Sequence, residues 1–68
     1  MITSAAQYKR KLTKMIRDEE KGQKEYGDII KALPSTPEFD HVRKYLREIA
    51  SDEKSHETVL RRLYGQVS

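Results

Sequence analysis

The two prolines of this chain, Pro34 and Pro37, bracket the tetrapeptide Pro34-Ser35-Thr36-Pro37, and the long stretches on either side contain none. This placement constrains the fold more than any other feature. A proline inside a helix costs about 3 kcal/mol and pushes the residue before it out of the helical region. The flanking segments are therefore free to be helices, and the tetrapeptide is where the chain turns. Ser4 followed by Gln7 has the form of a capping box, which predicts a first helix over 4–33. Thr36 suits an N-cap and Pro37 the first helical position, which predicts a loop at 34–36 and a second helix over 37–64, capped by Gly65. Residues 1–68 are read as a single helical hairpin.

The apolar residues follow helical steps of three and four. In the first helix the stripe is Ala5, Tyr8, Leu12, Met15/Ile16, position 19, position 22, Tyr26, Ile29/Ile30 and Leu33. In the second it is Phe39, Val42, Leu46, Ile49, position 53, position 56, Leu60, Leu63 and Val67. Both are near-heptad stripes. Composition adds a stability problem, since 68 residues with 37% charged side chains and no cysteine cannot rely on a large core, a disulfide or a thiolate metal site. The remaining remedies are oligomerisation and a metal held by carboxylate and imidazole. One hairpin covers only part of each stripe, so the expected fold is all-α, an antiparallel two-helix hairpin that dimerises into a four-helix bundle.

The stripe positions that are not apolar point to chemistry. They are Glu19, Gly22, Glu53 and His56. Burying an unpaired carboxylate costs several kcal/mol, so two of them on a core stripe call for protons, counter-charges or a metal. Counted from the middle of the loop, Glu19 and Glu53 fall at nearly the same height, and His56 is one turn beyond Glu53 on the same face. Two-fold doubling of Glu19, Glu53 and His56 gives four carboxylates and two imidazoles, the ligand set of carboxylate-bridged di-iron bundles. Four carboxylates also balance two divalent cations. Iron, two ions per dimer, is the expected metal, with manganese the alternative. The other Glu-x-x-His, Glu38 to His41, flanks the stripe beside the loop and reads as surface, while a metal-free dimeric interaction module is the competing account of the whole chain.

Glu19 with Tyr26 seven residues on, and the stretch Leu46-Arg-Glu-Ile-Ala-Ser-Asp-Glu-Lys-Ser-His56-Glu, resemble the ferritin-like superfamily. The likeness is to half of a rubrerythrin bundle and to the two-helix encapsulated ferritins, whose metal centre forms between subunits, and it covers about Arg17 to Leu63. The resemblance implies that Glu19, Glu53 and His56 are metal ligands with Tyr26 near the centre. The chain shows neither the Cys-rich electron-transfer segment of rubrerythrins nor a C-terminal targeting tail like that of encapsulated ferritins. The expected activity is a ferroxidase-like oxidation of Fe(II) by O2 or H2O2, with rubrerythrin-like peroxide reduction as the alternative. In that scheme Glu53 bridges the metals, and Glu19 and His56 are terminal ligands.

Several neighbours carry secondary expectations. Tyr26 is either a hydrogen-bond donor or redox buffer at the centre or a core aromatic. Gly22 leaves space for His56 or an oxidant, whereas Gly27 carries no role. Glu48 is placed for a hydrogen bond to a ligand, and Glu20 and Asp52 read as surface. Lys9, Arg10, Lys11 and Lys14 form a basic band that reads as a solvated face, and nucleic acid is not an expected partner because positive and negative charges are interspersed. Partners are expected to be a second copy, or a higher even oligomer, and the oxidant. No membrane contact is expected, and the expected location is cytoplasmic, with a protein compartment as the variant.

Overall fold

The computed structural model describes residues 1–66. Helix α1 spans Ala5–Ala32 and helix α2 spans Asp40–Gln66, joined through a 3-10 turn at Pro37–Phe39. The pair forms a rod with extents of 51 × 17 × 15 Å. Among the described residues no helix is long and apolar enough to cross a membrane.

Local chemistry sets the helix ends. At the start of α1 the Ser4 hydroxyl oxygen accepts from the Gln7 N–H at 3.2 Å. Gln7 reaches back one residue further than in the usual box, its Oε1 accepting from the Thr3 N–H at 2.7 Å and the Thr3 hydroxyl at 2.9 Å. Leu33 ends the helix in an extended conformation, as a residue before proline should, while its N–H still donates to the Ile29 carbonyl at 3.0 Å. Thr36 does not cap α2 with its side chain, because the hydroxyl donates to Glu38 Oε1 at 3.2 Å. The turn is held instead by Arg43, whose guanidinium donates to the carbonyls of Pro34 at 2.6 Å and Thr36 at 3.3 Å and to Asp40 Oδ1 at 3.2 Å. At the other end α2 runs through Gly65 to Gln66, and no glycine among the described residues has a positive φ. The expected cap is therefore absent there, since a helical glycine costs only about 1 kcal/mol relative to alanine and continued hydrogen bonding offsets it. Val67, the last stripe position, lies outside the described residues.

The hairpin core consists of Leu12, Ile16 and Leu60, with Tyr8 packed against it. It sits at the open end, away from the turn. Other stripe residues expected inside are exposed, namely Met15, Ile29, Ile49 and Leu63. The reason is geometric: a near-heptad stripe on each helix has two lines of residues, and a two-helix contact covers only one. On α2 the covered line runs through Glu53, Glu57 and Leu60, so position 57 is buried and His56 is not.

Glu57 is 8% exposed and fully paired. Its Oε1 accepts from Gln23 Nε2 across the hairpin at 2.8 Å, and its Oε2 accepts from Arg61 Nε at 2.7 Å. Arg61 also pairs with Glu20 on α1, so that Gln23, Glu57, Arg61 and Glu20 tie the two helices together beside the core. The hydrogen bonds from Arg61 and then Gln23 hold the Glu57 carboxyl below the usual carboxylate range, and Glu57 in turn raises Arg61. A carboxyl lowered in the folded state contributes stability above its unfolded pKa and loses it as pH falls through the folded value. Melts taken from neutral pH down into the acid range should therefore show the wild type approaching Glu57→Gln in stability as pH drops; a gap independent of pH would mean the charge contributes nothing. Leu12→Ala should cost about 2–5 kcal/mol in denaturant unfolding, as expected for a buried leucine.

Candidate metal centre

The three residues read as ligands come from the middle turns of both helices. Glu19 on α1 and His56 on α2 face each other, with Nδ1 of the imidazole 3.5 Å from Glu19 Oε1. The Glu19 side chain is 25% exposed and that of His56 is 64% exposed. Glu53 lies one turn nearer the loop, opposite Gly22. A Cβ built at Gly22 would fall 2.5 Å from Glu53 Oε1 and 2.6 Å from Cδ, and closer still to Oε2. The glycine therefore makes room for the Glu53 carboxylate, and the expectation that His56 or an oxidant fills that space is corrected. Equal height for Glu19 and Glu53 is corrected too. The facing pairs 19/56 and 22/53 place the reversal near residue 37.5, about two residues later than the proline pair alone suggests, because the 3-10 turn of Pro37–Phe39 delays the start of α2.

The electrostatics at Glu53 are unusual for a hairpin with so few buried groups. Its Oε2 is buried and has no hydrogen-bond partner. Such an atom carries the full desolvation penalty of a carboxylate without the return of a donor. Glu57, four residues on along the same line, shows that this hairpin can satisfy a buried glutamate when a guanidinium and an amide are supplied. The unpaired oxygen and the seat shaped by Gly22 fit a cation brought in from outside the hairpin. Two carboxylates and one imidazole are the donor types that iron and manganese accept.

His56 stands on the exposed line of α2 with Ile49, Val59 and Leu63, at the edge of a shallow cleft lined by Met15, Glu19, His56, Val59 and Leu60. Among the described residues no group of three or more His, Asp or Glu side chains converges as a metal cage. A single hairpin presents a Glu–His pair at one level and a carboxylate with a buried oxygen one turn away. Tyr26 is half-buried, one heptad beyond Glu19. Glu48, Asp52, Glu38 and His41 are exposed, and Gly27 has nothing near its missing side chain. Glu20, expected as plain surface, is engaged with Arg61.

Sequence reasoning missed Gln23, Glu57 and Arg61. Gln23 Nε2 donates to the Glu19 carbonyl at 3.3 Å as well as to Glu57, so it links the backbone turn that carries Glu19 to the residue that follows His56. The i,i+4 pair Glu57–Arg61 was the available signal.

No curated protein and no solved structure matches the chain. The family model described as Rubrerythrin matches residues 3–68, nearly the whole hairpin including Glu19, Glu53 and His56. By that match and its two-helix all-α fold, the chain belongs to the Rubrerythrin family, an iron-binding family of the ferritin-like superfamily.

Proposed function

We propose that two copies of this hairpin pair through their exposed apolar lines and form a di-iron centre between them, with ferroxidase-like activity toward O2 or H2O2. The observation that carries the proposal is the buried, unpartnered Oε2 of Glu53 seated against Gly22. A second supports it: His56 stands among Ile49, Val59 and Leu63, so covering those residues brings its imidazole into the same interface. Glu19, Glu53 and His56 of each copy would hold the metals. Iron held there supplies one-electron chemistry toward the oxidant, with Fe(II) as the substrate oxidised.

The chain's own groups have defined tasks in this scheme. Glu53 offers one carboxylate oxygen, Oε2, that is buried and has no hydrogen-bond donor, so a cation reaching it would satisfy that atom. His56 binds metal only as the neutral imidazole, and its pairing with Glu19 keeps the ring turned toward the ligand carboxylate. Gln23 and Glu57 hold the two helices in the register that places Glu19 beside His56. Tyr26, one heptad from Glu19 and half-buried, would donate a hydrogen bond to a ligand carboxylate in this reading.

Anaerobic Fe(II) addition tests binding directly. It should raise the melting temperature of the wild type, since a ligand bound only by the folded state at a hundred times its Kd contributes about 2.7 kcal/mol. Glu53→Ala should show no rise and no Fe(II) oxidation above buffer; equal stabilisation of both proteins would sink the proposal. Gly22→Ala should evict the Glu53 carboxylate and weaken iron binding while leaving helix content unchanged or higher, measured by equilibrium binding and circular dichroism. Val59→Glu should shift the protein from dimer to monomer in sedimentation and abolish iron binding with it.

A further inference from the structure

The fold sorts charge in a way the linear sequence hides. All eleven acidic residues lie between Asp18 and Glu57. Residues 1–17 carry Lys9, Arg10, Lys11, Lys14 and Arg17, and the stretch after Glu57 carries Arg61 and Arg62, with no acid in either. Folding brings these two stretches together at the open end of the hairpin, where Leu12 and Ile16 pack with Leu60 and Lys9 Nζ sits 5.1 Å from the centre of the Tyr64 ring. Arg61 is committed to Glu57 and Glu20, which leaves six cations there without an acidic partner of their own stretch.

Three of them form an ordered row. Arg10, Lys14 and Arg17 stand at i, i+4 and i+7 of α1, hence on one helical face, and all three are exposed. At 1.5 Å per residue they span about 10 Å of the helix. That face lies away from buried Leu12 and Ile16 and is distinct from the face of Met15, so pairing of two hairpins through the apolar line would leave the row in solvent. Tyr64 and Asp18 line the cleft beside the row, and the exposed Met1 and Ile2 flank Arg10 and Lys14, but the three row positions themselves are all cationic. What the three row side chains themselves offer is fixed positive charge. That is the requirement for holding the phosphate backbone of a nucleic acid, where affinity comes from released counterions and needs no contact to bases. The hairpin is 15–17 Å across, wider than the roughly 12 Å major groove, so base reading is not expected.

We infer that the open end, through Arg10, Lys14 and Arg17, is a sequence-independent docking surface for the phosphate backbone of duplex DNA. This goes beyond the metal reading and does not depend on it. The test is fluorescence anisotropy of unrelated duplexes of about 25 base pairs with the full chain, titrated at several salt concentrations. Wild type should bind different sequences alike, with affinity falling about 100-fold between 50 and 200 mM salt if about four phosphates are neutralised. The triple substitution Arg10→Gln, Lys14→Gln, Arg17→Gln should weaken binding and flatten the slope of log K against log salt by about 3. A control with the same charge change at the turn end, Lys31→Gln, Lys44→Gln, Arg47→Gln, should keep most of the affinity. Folding of each variant is checked by its helix signal. Three results would overturn the inference: no binding at 50 mM salt, equal loss in both triple variants, or binding to vesicles rich in phosphatidylserine without binding to DNA.

Discussion

Everything in this hairpin turns on the cost of burying carboxylates between two helices. Glu53 and Glu57 occupy successive positions on the same covered line of α2, and both lose water when α1 closes over them. Glu57 recovers its hydrogen bonds from Gln23 and Arg61, and that recovery is also what pins the helices in register. Glu53 receives no donor at Oε2 and faces a residue with no side chain. Since an unsatisfied buried polar atom costs about 1–3 kcal/mol, and more when charged, the pair amounts to a closed account beside an open one. With three buried apolar residues among those described, the hairpin has little surplus to carry the second.

The exposed line of α2 bears on that same deficit. Ile49, Val59 and Leu63 are more than a third exposed, as is Met15 across the cleft, and His56 stands among them. An apolar face that holds a histidine cannot be covered by a second helical pair without bringing the imidazole into the new interface. Gly22 shows the same economy, because it lowers helix propensity by about 1 kcal/mol and in exchange lets Glu53 approach the α1 backbone.

The hairpin was legible because proline and capping chemistry act locally: Pro34 forces Leu33 out of the helix, and Ser4 and Gln7 close the first turn whatever the rest does. Glu19, Glu53 and His56 stood out as polar residues on apolar stripes. The exact facing of those residues was not legible. Spacing from the loop depends on how many residues the reversal consumes, and a 3-10 turn stabilised by Arg43, remote from the prolines in role if not in space, adds about two. Nor could spacing choose between positions 56 and 57, since steps of three-four and four-three both satisfy a helix between 53 and 60. The choice falls to Glu57 because Gln23 and Arg61 can satisfy it, and those partners are 34 residues away and one turn away respectively.

Charge sorting was hidden for a related reason. Along the chain, 14 basic and 11 acidic residues look mixed, yet the antiparallel pairing superposes the two stretches that contain no acid. The rod consequently has a positive open end and an acid-rich middle, in which eleven carboxylates outnumber the seven lysines and arginines between positions 18 and 57. The two regions adjoin, with Arg17 two residues before Glu19, about 3 Å along the helix axis and within one Debye length. A divalent cation is repelled at the open end and attracted at the middle, where Glu19 and Glu53 stand, while a polyanion experiences the reverse. The fold therefore sorts along the rod charges that one net charge of +3 averages together.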